Sequence, residues 1–295
     1  MSARASRDDE LRILCAGSLS ALVRDGLSPP FAAASGLQLA VRSGGSRELA
    51  REVRARRATA DVFLSADAQV VEAELMTGDT APVASWYLTF AANSLVLVWS
   101  DRSRATALAE SVRGGARSVA DLLEGGLRLG RPDPEQDPKG YRTLFALQLL
   151  EAHLGREGLA ASVLGAPRNA KQLFPPDDLL PMLRRGELDL VFSYRSQVIA
   201  EELPFLELPP ETDLGALEHA GAYAKATYTC EDGTVYRGAP IAYAATIPIG
   251  ALNPIGAACF LAFLTTPTAR RMLEAEGFRP VSGVTVLGDG RLQAL

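Results

Sequence analysis

Residues 11–18 read Leu-Arg-Ile-Leu-Cys-Ala-Gly-Ser, and residues 37–46 read Leu-Gln-Leu-Ala-Val-Arg-Ser-Gly-Gly-Ser. Each is a short apolar run closed by a Gly-Ser turn. Each is followed by an amphipathic stretch, from Leu19 to Leu27 after the first and RELAREVRARR (47–57) after the second. A third apolar run, Asp61-Val-Phe-Leu-Ser-Ala66, comes next. A strand–turn–helix grammar repeated in this way predicts parallel strands joined by crossover helices. The fold class is α/β.

Further along, Trp86–Ser100 (WYLTFAANSLVLVWS) is rich in β-formers and long for one strand, and Ile241–Ile249 is a second extended segment. The block between them has helices and strands of its own, including GYRTLFALQLLEAHLG (140–155) and DDLLPMLRRGELDLVFSY (177–194). The sequence therefore predicts two lobes joined by a two-strand hinge, lobe I being 1–88 plus 246–295 and lobe II being 89–245. Clefts between such lobes hold small ligands. Ile241–Leu264 carries no charge over 24 residues, enough to span a membrane. Pro248, Gly250, Asn253, Pro254 and Gly256 interrupt it, so the reading is a buried strand, a turn, and a helix capped by Asn253 with Pro254 at its first position. A final helix opens at Thr266-Pro267 and closes at Gly277.

With 295 residues and 47% apolar content, the chain can build a sizeable core, which excludes a disordered tail or a small stapled scaffold. Thirty basic against 35 acidic residues, intermixed, give a net charge of -5 and exclude a basic nucleic-acid surface. Cys15, Cys230 and Cys259 show no CxxC spacing, so neither a disulfide framework nor a zinc knuckle is expected. His153 and His219 lack ligand spacing and read as structural. The opening MSARASRDDELRILCAGS has no apolar stretch of the ~7–15 residues that a signal peptide needs. The expectation is a cytoplasmic chain if Met1 is the native start, or an extracytoplasmic one whose export segment was removed.

Both Gly-Ser turns fall where a strand hands over to a helix, which aims backbone N–H groups and a hydroxyl at one point, with the positive end of the helix dipole behind them. Such places bind anions. Ser18 and Ser46 would each donate to an oxyanion oxygen, the alternative being ordinary helix capping. A third junction is Asp137-Pro-Lys-Gly-Tyr-Arg142. A carboxylate beside an anion is repelled, so Asp137 is either a helix cap or a ligand to the metal centre of an oxyanion.

These residues resemble the archaeal-type tungstate/molybdate-binding proteins, substrate-binding subunits of ABC transporters with the type II periplasmic-binding-protein fold. The resemblance is carried by Ala16-Gly17-Ser18-Leu19, Gly45-Ser46, Ala60-Asp61-Val62 through Ser65-Ala66-Asp67, and Trp86-Tyr87 through Phe90-Ala91. It continues through Gly130-Arg131, the DPKGYR element, Leu188-Asp189 through Tyr194-Arg195-Ser196, and Ile241-Ala-Tyr to Ile247-Pro248. It implies a monomeric Venus-flytrap binding protein, without cofactor or catalysis, that closes on tungstate or molybdate for delivery to an ABC-transporter permease.

In that family, serines at the positions of Ser18 and Ser46 hold oxo groups, with Gly17 and Gly45 beside them. The Asp at the position of Asp137 joins a Glu to complete an octahedral metal centre. Here Pro176 falls in register with that Glu and Asp177 is shifted by one, which leaves octahedral and tetrahedral coordination both open. Gly140 belongs to the same element. Tyr194 would reach the cleft with its hydroxyl or pack in a core. Cys15 departs from the family pattern, and its thiol is either acidified near a helix N-terminus or simply small and buried. Ser65, Asp67 and Arg142 read as supports of the lobes. The alternative function is a cytoplasmic enzyme or sensor with a repurposed cleft, although no nucleophile, base and orienter can be assembled.

Overall fold

The computed structural model describes residues 10–77 and 81–288, with the side chains of 282–287 outside that description. Residues 1–9, which bear on the export expectation, also lie outside it. The chain divides into two compact units, Met1–Ala92 with Ile241–Leu295, and Asn93–Pro240. The crossings fall at 92/93 and 240/241, a few residues from the 88/89 and 245/246 read from the sequence. Nearly all of Trp86–Asn93, and the whole of Ile241–Thr246, are strands of the first unit's sheet.

In the first unit, β1 (Glu10–Ala16) pairs in parallel with β2 (Gln38–Gly44) on one side and with β3 (Val62–Ser65) on the other. All three therefore end at the same edge. The amphipathic helix Ser46–Arg54 returns from β2 and buries Leu49, Ala50 and Val53 against Leu14, Phe63 and Tyr87. Burial of such side chains contributes about 1.5–3 kcal/mol for each large one, which fixes the helix start over the strand ends. After β1 the chain runs helically from Gly17 to Ser35, tightening into a 3₁₀ turn at Gly17–Leu19 and widening into a π turn at Leu22–Leu27. The next strand, β4 (Trp86–Asn93), lies in the same sheet.

At Asn93-Ser94 the long β-rich segment breaks, and β5 (Leu95–Val98) belongs to the second unit. There β6 (Leu129–Gly130), β7 (Leu190–Tyr194) and β8 (Phe205–Glu207) join it in the order β6-β7-β5-β8. The helix Pro138–Leu154 buries Leu144, Phe145, Leu147 and Leu150. A hairpin, β9 (Thr227–Thr229) and β10 (Val235–Arg237), completes the unit.

The chain returns to the first unit in β11 (Ile241–Thr246), antiparallel to β3, and ends in β12 (Arg279–Gly288), antiparallel to β4. The six-stranded order is β12-β4-β11-β3-β1-β2. The uncharged stretch 241–264 is a strand followed by the helix Pro254–Leu264, whose cap Asn253 accepts from the Gly256 N–H at 2.9 Å. No described helix is long and apolar enough to cross a membrane.

Candidate functional site

In the first unit the register Cys15↔Ser43 and Ala16↔Gly44 sets the two Gly-Ser turns side by side. A Cβ on Gly17 would stand 3.9 Å from the Gly44 carbonyl oxygen. Ser46 is the first residue of its helix and Gly45 the cap, with extended backbone (φ −64°, ψ 128°) and no side-chain capping bond. Ser46 Oγ instead accepts the Ala66 N–H at 3.2 Å, tying the turn after β2 to the turn after β3. A hydroxyl that accepts still has its own proton to donate. Ser18 is exposed in the 3₁₀ turn, and its hydroxyl makes no hydrogen bond among the described residues. Neither serine is a helix cap. The first N–H groups of a helix lack intrahelical acceptors, so both turns carry donors available to an anion.

The third strand end is braced internally. Buried Ser65 donates to the Asp67 carbonyl at 2.7 Å and accepts the Asp67 N–H at 3.2 Å, while the Asp67 carboxylate caps the next turn through the Gln69 N–H at 2.9 Å. Asp61, also buried, takes the Arg12 N–H at 2.9 Å and those of Leu252 and Asn253 at 2.8 Å each. The side chain of Cys15 is fully buried in β1, and burial pushes the thiol up to about 11, with Arg24 opposing weakly. Burial of this kind fits the second of the two readings of Cys15, a small side chain packed in the sheet.

In the second unit, the helix Pro138–Leu154 begins on Asp137, whose Oδ1 accepts the Lys139 N–H at 2.7 Å. The cap alternative is thus realised, and Oδ2 makes no hydrogen bond among the described residues. Gly140 has a packing reason. A Cβ there would lie 2.7 Å from the backbone of Asp133 and Pro134, closer than real contacts allow, so its place in the motif is explained without a ligand.

Lys139 is 6% exposed, and its Nζ donates to Gln197 Oε1 at 3.0 Å and lies 5.4 Å from the centroid of the Tyr194 ring. Burial pulls this ammonium below the usual lysine range, while the carboxylates of Asp137 and Asp177 act in the opposite sense. Tyr194 ends β7, and its hydroxyl accepts from Arg142 Nη1 at 2.7 Å. Arg142 therefore bears directly on Tyr194. Asp177 is exposed and Pro176 half-buried, in the loop before the helix Leu179–Arg185. The structure thus brings Asp137, Lys139, Arg142 and Tyr194 together, with Asp177 acting on Lys139 only through its charge.

At the other end of β7, Asp189 is fully buried and bound by Arg104 Nη2 at 2.9 Å and Arg128 Nη2 at 2.8 Å. These guanidiniums hold its carboxyl well below the usual carboxylate range. His153 lies 4.0 Å from a Glu211 oxygen, and His219 sits beside the Tyr223 ring. Sequence reasoning missed Lys139 and Gln197. One signal was present, because a lysine in the first turn of a helix opposes the dipole and needs some other cause.

The six-stranded and four-stranded sheets, with the chain crossing between the units and back, define a type II periplasmic-binding-protein fold. The chain belongs to the bacterial extracellular solute-binding protein family, which it matches over residues 11–279. A Haloferax volcanii protein named "Putative ABC transporter molybdenum-binding protein" is 37% identical over 243 residues, 82% of this chain and 74% of that one. Among solved structures, the periplasmic molybdate-binding protein of Azotobacter vinelandii is similar with a TM-score of 0.59 and 20% identity, covering 91% of this chain and 98% of that one. The sulfate-binding protein of Mycobacterium tuberculosis H37Rv is similar with a TM-score of 0.57 and 17% identity, covering 92% and 87%.

Proposed function

We propose that the chain is a monomeric binding protein for a tetrahedral oxyanion, molybdate or tungstate, which it delivers to an ABC-transporter permease. The observation that carries this reading is the pair of Gly-Ser turns at register-locked strand ends, with neither hydroxyl engaged in capping. Ser18 and Ser46 donate to oxo groups, assisted by backbone N–H groups at Gly17 and Gly45. Within the second unit, Asp137 Oδ2 and the Tyr194 hydroxyl are the candidate anion contacts, Asp137 toward the metal atom of the anion. Donors held by strand register and by Ala66 lose little freedom on binding, which favours affinity. The molybdenum-binding name of the Haloferax relative supports the choice of anion. Burial of Cys15 in β1 gives the repurposed-enzyme alternative no support.

Thermal unfolding in molybdate, tungstate, sulfate and phosphate tests the reading. A ligand at 100 times its Kd stabilises by about 2.7 kcal/mol. The expected result is a raised midpoint with molybdate and tungstate. No shift with either overturns the proposal, and an equal shift with sulfate reduces it to a general oxyanion receptor.

A further inference from the structure

Burying a lysine is costly unless a charge or a full set of acceptors balances it. Lys139 has three N–H donors and one acceptor among the described residues, the neutral Gln197 Oε1, which Ser193 Oγ also contacts at 3.0 Å. The ammonium is therefore not explained by local hydrogen bonding. Its Nζ lies 5.4 Å from the centroid of the Tyr194 ring, its backbone N–H is capped by Asp137 Oδ1 at 2.7 Å two residues away, and the Asp137 and Asp177 carboxylates act on it through charge alone. Arg142 is the other cation on Tyr194, its guanidinium 5.8 Å from the ring centroid. Asp137, Asp177, Lys139 and Arg142 then carry two negative and two positive charges. A neutral group can accept a dianion, whereas the same group without Lys139 has a net negative charge and repels one.

We propose that Lys139 is a positioning residue that balances the charge of Asp137, so that a carboxylate can stand against a doubly charged oxyanion. This deepens the oxyanion reading and rests on it. Lys139 does not contact the anion; it acts through Asp137, and its effect depends on the Asp137 charge.

The test is calorimetric titration of molybdate into the full chain as wild type, Lys139→Met, Asp137→Asn and the double variant, with folding checked by circular dichroism melting. Loss of a buried charge partner predicts about 30-fold weaker binding, or more, for Lys139→Met. With Asp137 already neutral, the same change is expected to weaken binding by about threefold or less, the signature of coupling between the two sites. A merely structural lysine would cost the same in both backgrounds, and that result overturns the proposal, as does wild-type affinity in Lys139→Met. Should Lys139→Met fail to fold, Lys139→Gln removes the charge but keeps a polar head for Gln197, and the same two outcomes decide. Absence of both molybdate and tungstate binding by the wild type overturns the oxyanion reading, and this proposal with it. Wild-type binding with an unaltered variant overturns this proposal alone.

Discussion

The two units present their candidate groups in different ways. In the first, Ser18 and Ser46 follow parallel strands whose register sets them side by side, and their donors are hydroxyls and backbone N–H groups. In the second, Asp137, Lys139, Arg142 and Tyr194 come from a helix start and a strand end separated by more than fifty residues, and three of the four are acidic or basic side chains. Backbone donors are neutral and set by local geometry, so they define shape. Side-chain charges must balance one another once partly removed from water, so they define which ligand charge is tolerated. On the proposed reading, the first unit supplies shape and the second sets the ligand charge that is tolerated.

The largest expected effect tests the scaffold behind the ionic group. Asp189 anchors the start of β7 through Arg104 and Arg128, and Asp189→Ala is expected to destabilise the protein by about 3 kcal/mol in denaturant unfolding, because a buried carboxylate with charged partners is lost. The folded carboxyl titrates below its unfolded value, near pH 4, so its stabilisation is full above that pH and fades as the pH falls toward the folded value. The variant should accordingly lose less stability than wild type on acidification below about pH 4, and parallel acid profiles would show that this anchor is not a charge effect.

Next in size are the serine turns. Ser18→Ala and Ser46→Ala should each weaken molybdate binding by about 2 kcal/mol, the worth of a hydrogen bond to a charged group. Ser46→Ala should also lower the melting temperature slightly, since its Oγ holds the Ala66 N–H, whereas Ser18→Ala should not. Unchanged affinity in both variants would break the division between the units.

The smallest effect concerns thiols. At pH 7.5 an alkylating reagent should label exposed Cys259 first and leave Cys15 untouched in the folded chain, with or without molybdate, as read by mass spectrometry of peptides. Rapid labelling of Cys15 would return a reactive group to the first unit. Because its folded value is raised to about 11, stability should fall as pH rises from about 9 toward 11, where the unfolded thiol ionises first.

Much of the first unit was legible in the chain. LRILCAGS and LQLAVRSGGS state a strand, a turn and a helix start in consecutive residues, and parallel pairing follows from the alternation. The β-rich run WYLTFAANSLVLVWS does not by itself show where one sheet ends and the next begins. Asn93 and Ser94 mark that point only once the strand pairing is known. In the second unit DPKGYR was visible as a motif, yet Gly140 serves packing against the Asp133–Pro134 backbone and Arg142 reaches Tyr194. Both facts depend on segments far from the motif or folded over it.

By itself the sequence determined the α/β class, the two-unit order and the two Gly-Ser turns, because periodicity and turn chemistry act between near neighbours. Only the tertiary structure decided that Cys15 is buried and protonated, that Ser46 holds Ala66 in place of capping its helix, and that Lys139 lies buried against Tyr194. Burial and charge pairing are properties of the surroundings a residue acquires from distant parts of the chain, and no local pattern encodes them.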